Sequence, residues 1–547
     1  MLLTSRALSA DDATATALLN CLVREVCAPE QQLWVDGPRL LMRLPRVGVA
    51  LRTGLARPPA GPTYRITAPF EERRDDGWIE AGWERLADLV AGELELAAGH
   101  ANPEFLAQVA GSRRTLAALL EARPDVPGGD PYIESEQSLL AGHRFHPSPK
   151  ARQGDPADWL PYSPETRARF KPHWLAVRAD AVVEEGDPRA FARLGAPPLP
   201  EHLRAGHALL PAHPWQLALL ADLPVYRRAV AAGIVHDLGP CGPEAAPTSS
   251  VRTAYLPDAD VFCKFSLDVR ITNCVRKNAW YELAGAVALD RLLGPVFARF
   301  EDCTLLAEPA YRSVALADRR LHEGLGVILR EGVRGLPGTP LLSAALADPY
   351  GTLLPELPAL ASADGAQAWW ERYVRLVARP VLRAFLDHGV VLEPHLQNVL
   401  VTVDGDGMPV RAVFRDLEGT KLTAGRWDLS HLPARVREAV TYDAALGWNR
   451  VVYCLMVNHL AEVAAAVADL HPELEDGLWR ALGADLAASP HADRPQVRAL
   501  LAGVPFPAKA NLRTRWMRAA DRSAAYVPAR NPLAARPGAC VSRAESR

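Results

Sequence analysis

Residues 393–419 read EPHLQNVLVTVDGDGMPVRAVFRDLEG, and this stretch decides how the second half of the chain folds. Residues 399–403 form an apolar run, 404–407 are Asp-Gly-Asp-Gly, and 410–414 return to apolar residues. Two β-branched runs flanking a Gly/Asp turn predict a β-hairpin. A hairpin brings its ends together, so Asn398 and Asp416 become neighbours although they are eighteen positions apart. An amide oxygen and a carboxylate so placed are hard oxygen donors of the kind Mg²⁺ prefers. A capped hairpin with unrelated polar ends is the plainer alternative.

Protein kinases use a similar layout, with an Asn after the catalytic loop and an Asp beyond the next hairpin. The kinase general base, an Asp upstream of the Asn, is absent from 393–398; Pro394 and His395 occupy that neighbourhood. His395 can meet a carboxylate or a phosphate, and Glu393 lies close by.

Outward from the hairpin, 366–386 and 448–470 carry helical patterns, and the Gly/Pro cluster 332–340 marks a boundary. Upstream, 123–130 (RPDVPGGD) reads as a linker. Strand-like pieces occur at 208–211 and 261–265 in an otherwise loop-rich region from 143 to about 325. Near the N-terminus, Val47, Val49 and Leu51 alternate as a half-buried strand. Ile79, Trp83, Leu86 and Val90 recur as one helix face. The Arg/Ala/Pro-rich tail after Pro528 predicts poor order.

A second polar constellation spans 248–276. Thr248, Ser249, Ser250, Arg252 and Thr253 are followed by Lys264, then Thr272 and Arg276. Hydroxyls donate to non-bridging phosphate oxygens, and Arg and Lys neutralise their charge, so the set suits a polyphosphate. Lys264 interrupts an apolar strand, and its ammonium must find a partner or a ligand there. No GxxxxGK[ST] is present, which excludes a P-loop. A solvated basic strand pair is the alternative.

Two smaller clusters lie upstream. His143-Arg-Phe-His146-Pro-Ser-Pro-Lys150, then Arg152, places cations on a proline-stiffened loop suited to anion recognition; a basic surface loop is the alternative. No Asp, Glu or Cys near the His pair completes a metal set. In Ala212-His213-Pro214-Trp215-Gln216, His213 reads as structural, holding a loop through a backbone hydrogen bond.

Composition narrows the classes. The chain has 547 residues, 49% apolar and 23% charged, which suits a multidomain globular enzyme of about three domains. A net charge of −3 offers no electrostatic case for nucleic acid or an anionic membrane surface. The eight cysteines are scattered without CxxC or zinc-like spacing, as in a reducing compartment. No secretory signal and no run of apolar residues long enough for a membrane span is read, and a cytoplasmic location is expected.

The ordered blocks GHRFHPSPKAR, AHPWQ, TSSVRT with KFSL and ITNCVR, and EPHLQNVLV with FRDLEG resemble the IucA/IucC family. These are siderophore synthetases that work without a non-ribosomal peptide template. The resemblance runs from about residue 142 to 419, and more weakly over 508–516 (AKANLRTRW). It implies an α+β, three-part cupped-hand architecture. The parts are a thumb over 1–142, ATP-binding fingers over 143–330 and a mostly helical palm over 331–530 with the kinase-like hairpin site, before a disordered tail at 531–547.

The family condenses a carboxylic acid, often citrate or a derivative, with an amine or alcohol. ATP first gives an acyl-adenylate and pyrophosphate, and the nucleophile then displaces AMP. By this resemblance His146, Lys150, Ser250, Arg252, Thr253, Lys264 and Arg276 contact ATP, with Glu393, Asn398 and Asp416 at the nucleotide. Asn398 and Asp416 also hold its Mg²⁺. Thr272, Arg276, His395 and Gln397 face the carboxylate substrate, and Arg276, Lys264 and His395 are the expected catalytic residues. A homodimer is a further family expectation. Arg144 and Asn273 depart from the Pro and small Ser common in the family, and Asn273 bears on the identity of the acid. A small-molecule phosphotransferase, which releases ADP, and a catalytically idle nucleotide-binding scaffold are the rival readings.

Overall fold

The computed structural model describes residues 8–125, 129–271, 274–316, 318–520 and 523–534. Helices and sheets are mixed along the chain, as the α+β expectation requires, and the polar constellations lie on strands or on the loops beside them.

The N-terminal part is a five-stranded antiparallel meander, Leu33–Asp36, Arg39–Leu44, Val49–Leu55, Ile66–Arg74 and Gly77–Glu80. Alternate residues of its strands, such as Leu40, Met42 and Leu51, pack with Leu18 and Leu22 of the helix Ala10–Leu22. Two expectations shift here. Val47 lies in the turn before the strand that starts at Val49, because the chain reverses after Leu44 and Gly48 adopts φ +72°. Ile79 belongs to the edge strand Gly77–Glu80, and the helix begins only at Trp83, running to Ala98.

The middle part is built on a six-stranded antiparallel sheet. Its order is Ala246–Pro247, Thr253–Leu256, Val261–Lys264, Val327–Glu331, Ala310–Val314 and Val182–Gly186. Successive strand residues face opposite sides. Val261 and Cys263 therefore enter one core, while Phe262 packs on the other face with Leu400 and Val413 of the hairpin. Lys264 shares the face of Phe262, so pleating alone aims it toward the hairpin base.

The hairpin forms as its pattern predicts, Val399–Val403 against Pro409–Phe414, with Val399 opposite Phe414. Both faces are buried. Val399, Val401 and Val403 join the largest core, which includes Trp369, Trp370 and Tyr373 of the long helix Ala363–His388. A second helical stretch, Ala444–Val452, Tyr453–Leu460 and Ala461–Leu470, packs in the same core, with a π-helical middle segment. By length and composition it is apolar enough to cross a membrane, although Arg450, Glu462 and Asp469 interrupt it, so it is not an uncharged run. It is 94% buried inside the protein, which identifies it as a core helix here.

The C-terminal segment returns to the N-terminal part. Phe506–Lys509 pairs with Tyr526–Ala529, and Leu512 and Trp516 enter the core around Leu18 and Phe105. Order extends past the predicted start of the tail: the Asn531 amide donates to the carbonyls of Leu500 and Val504, each at 2.8 Å, and Leu533 is buried. Residues 535–547 of the predicted disordered tail lie outside the described residues.

Candidate active site

The site centres on Lys264, which is 1% exposed. Its Nζ donates to Asp416 Oδ1 at 2.5 Å and lies 2.7 Å from Glu418 Oε2. Arg252 donates from Nη2 to the same Glu418 oxygen at 2.8 Å and from Nη1 to Asn278 Oδ1 at 2.5 Å. Arg330 Nη2 bonds Glu308 at 2.5 Å and stands 3.7 Å from Asp416. Burial alone raises the Asp416 carboxyl, yet Lys264 and Arg330 outweigh it and hold the group far below the usual carboxylate range. Burial likewise opposes ionisation of Glu418, and Lys264 and Arg252 bring it down to about 2. Burial lowers the Lys264 ammonium, but Asp416 and Glu418 raise it further, so all three groups are charged at neutral pH.

The backbone is constrained at the same place. Asp416 has φ +76°, in the left-handed region, where a non-glycine residue is held only by its surroundings. Arg415 supplies that hold. It donates to Gln397 O from Nε and Nη2 at 3.0 and 2.8 Å, and to Glu136 Oε1 from Nη1 at 2.5 Å. Glu136 in turn accepts from Ser249 N and Oγ at 3.1 and 2.9 Å, and Gln397 Nε2 reaches the same hydroxyl at 3.3 Å. This relay fastens the hairpin base to the hydroxyl-rich loop at 248–253.

That loop is itself tight. Thr253 N donates to Ser250 Oγ at 3.2 Å, and Val251 has φ +67°, unusual for a β-branched residue. Thr253 pairs directly across from Lys264, so the loop ends at the buried ammonium. Val251 is anchored by packing with Trp159, Trp215 and Leu267.

Other expected residues are placed as follows. Asn398 flanks the hairpin base: its carbonyl accepts from Arg415 N at 3.1 Å. Glu393 pairs with Arg450, and Gly419 allows this, since a Cβ there would lie 1.9 Å from Glu393 Oε2. Arg276 closes the strand Cys274–Arg276, and its carbonyl accepts from Arg252 Nη1 at 3.1 Å. Thr272 and Asn273 lie outside the described residues. His395 sits on a loop held by the long C-terminal helix: His459 Nδ1 lies 2.9 Å from Pro394 O, and Asn458 Oδ1 accepts from Leu396 N at 3.3 Å. Burial lowers the His395 pKa below its ordinary value, which leaves the imidazole neutral at pH 7.

The loop at 143–152 is divided. His146 Nδ1 accepts from Ser148 N at 3.1 Å, and His143 Nε2 meets Asn458 Nδ2 at 2.9 Å. Lys150 is not among the residues bonded at Lys264. Its ammonium donates to Glu165 Oε1 at 2.6 Å and to Leu139 O at 2.7 Å, with Arg152 on the same Glu165 oxygen at 2.6 Å. His213 accepts from Trp215 N at 3.2 Å and caps a helix, the structural role read from its sequence.

Sequence reasoning missed Glu136, Asn278, Glu308, Arg330 and Glu418. Only Glu418 carried a signal, two positions beyond Asp416 in the same polar run. The others are brought in by packing across long sequence distances. Among the described residues no group of three or more His, Cys, Asp or Glu forms a ready metal cage. A Mg²⁺ that arrives with a nucleotide needs only one or two carboxylates beside the phosphates, and Asp416, Glu418 and Asn398 are donors of that kind.

The surrounding family is legible from comparison. The model of the IucA / IucC family matches residues 131–348, and one described as ferric iron reductase FhuF-like transporter matches 367–524. Rhizobactin siderophore biosynthesis protein RhbC of Rhizobium meliloti (strain 1021) is 32% identical over 74% of this chain and 75% of its own length. The L-2,3-diaminopropanoate–citrate ligase of Staphylococcus aureus is 30% identical over 62% of this chain and 63% of its length. Among solved structures, ATP-bound aerobactin synthetase IucA from a hypervirulent pathotype of Klebsiella pneumoniae aligns with a TM-score of 0.85 and 25% identity. That alignment covers 96% of this chain and all of the other.

Proposed function

This chain belongs to the IucA/IucC family, and from that premise we propose that it is an ATP-dependent siderophore synthetase joining citrate, or a citryl derivative, to an amine. Relatives named as ligases and synthetases support this reading over the phosphotransferase. The observation that carries it is the Lys264–Asp416–Glu418–Arg252 cluster, two buried cations locked to two carboxylates at the mouth of a hydroxyl-rich loop.

Such a cluster is suited to an exchange of partners. Lys264 and Arg252 turn from Glu418 and Asp416 to the phosphates of ATP, where Ser250 and Thr253 add donors. Asp416, Asn398 and Glu418 would hold Mg²⁺, which neutralises phosphate charge when bound. The substrate carboxylate oxygen attacks the α-phosphorus, the bond to the bridging oxygen breaks, and pyrophosphate leaves. Positive charge fixed in advance at Arg252, Lys264 and Arg276 stabilises the oxygens on which charge develops. The amine then attacks the acyl carbon and AMP departs. His395, neutral and on the same loop as Gln397, is the residue we assign to accept the amine proton.

In this reading Thr272, Arg276, His395 and Gln397 face the acid, and His146 and Glu393 border the nucleotide. Lys150 supports its loop through Glu165. The thumb, fingers and palm, a cytoplasmic setting and a homodimer belong to the same proposal. The test is stoichiometric: citrate, ATP, Mg²⁺ and hydroxylamine should give hydroxamate with equal AMP and pyrophosphate. Release of ADP would point to phosphotransfer, and no hydroxamate from any acid would point to an idle scaffold.

A further inference from the structure

Arg24 has no part in the site described above. It lies in the π-helical turn Val23–Cys27 that continues the N-terminal helix, and it is 6% exposed. Neither terminal nitrogen of its guanidinium has a hydrogen-bond partner among the described residues. The group stacks on Phe145, with Cζ 3.1 Å from the ring centroid. A ring face attracts the cation but leaves the N–H donors without acceptors, an arrangement that disfavours a buried guanidinium. The nearby carboxylates are engaged elsewhere. Glu25 accepts from Leu512 N and Arg513 N at 2.8 and 2.9 Å. Glu462 accepts from Thr63 Oγ1 and Arg144 at 2.6 and 2.9 Å.

The position of Arg24 connects it to the reaction. Phe145 follows His143 by two residues, and His143 bonds Asn458, which in turn holds Leu396 between His395 and Gln397. Burial first, and then the basic side chains of His146, Arg24, His395 and Lys509, lower the His143 pKa to about 3. Asn458 comes from the second π-helical segment, Tyr453–Leu460, and such segments recur at functional sites.

We infer that Arg24 is a specificity-determining residue that binds a substrate carboxylate remote from the bond being made. Its planar fork matches a carboxylate bidentately, and shielding from solvent strengthens that attraction. The inference rests on the ligase reading. The carboxylate has two possible sources: an unreacting carboxylate of the acid, or that of an amino-acid acceptor.

Two ratios in the full-length protein separate them. The first compares hydroxamate formation from citrate and from 2-hydroxy-2-methylsuccinate, which lacks one terminal carboxylate. The second compares amide formation with L-2,3-diaminopropanoate and with 1,2-diaminoethane, which differ only in the carboxylate. Arg24→Gln should reduce one ratio in kcat/KM by roughly tenfold or more, while turnover of the partner lacking the carboxylate persists. The ratio that falls names the source. Arg24→Lys, which keeps the charge without the fork, should fall in between, and it carries the comparison if the Gln variant fails to fold. Both ratios unchanged in a folded variant would overturn the role of Arg24. A wild-type protein that makes no hydroxamate would fail at the ligase reading itself, and the inference would fall with it.

Discussion

At the scale of single residues, the proposed site is tested at Asp416 and Arg276. Asp416 is charged, strained and bonded to Lys264, so Asp416→Asn keeps its shape while removing one negative ligand. The Mg²⁺ concentration for half-maximal activity should then rise by about tenfold or more, read by titration under saturating ATP. An unchanged Mg²⁺ dependence would remove Asp416 from the metal site. Arg276→Ala should lower hydroxamate formation by ~10²-fold while circular dichroism and melting stay near wild type. Wild-type turnover in that variant would take Arg276 out of the chemistry. The sequence singled out Asp416 as the far end of the hairpin and Arg276 as a cation of the 248–276 constellation. Glu418 and Arg252 were legible as polar residues, but their mutual bond was not, because it joins positions 166 apart.

At the scale of elements, the hairpin was readable to within a residue at each strand because its alternation and its turn are local properties. The loop before it was not readable. Its anchors, Asn458 and His459, sit on a helix whose apolar pattern gives no sign of a polar task. Gly419 shows how closely these elements meet. Gly419→Ala should drive Glu393 from Arg450 and distort the exit of the hairpin. The expected outcome is a lower melting temperature together with a raised KM for ATP. A variant with both values unchanged would show that the Glu393–Arg450 pair is dispensable.

At the scale of the molecule, buried ion pairs make the fold sensitive to acid. Glu165 is the clearest case. Burial raises its pKa, but Arg152 and Lys150 outweigh this and hold it at about 2, below its ordinary 4.5. A depressed carboxyl stabilises the fold above pH 4.5 and loses that contribution as pH falls toward 2, on the order of 3 kcal/mol in all. Glu165→Gln should therefore melt well below wild type at pH 7, where Lys150 and Arg152 are left as buried unpaired cations. The two proteins should converge as pH approaches 2 to 3. Parallel melting curves across the pH range would contradict that assignment.

The C-terminal segment adds a longer link, with Leu512 and Trp516 completing a core begun by Leu18 some five hundred residues earlier. By itself the sequence determined the hairpin, the strand that carries Lys264, the hydroxyl-rich loop and the chemistry that the family blocks imply. The first three follow from residue type and short-range periodicity, and the chemistry follows from the resemblance to the family. Tertiary structure alone decided who partners whom: Glu418 with both Lys264 and Arg252, Glu165 with Lys150, and Arg24 with no hydrogen-bonding acceptor for its terminal nitrogens among the described residues. Those partners are set by which sheet faces and helices pack together, and no local pattern encodes that choice.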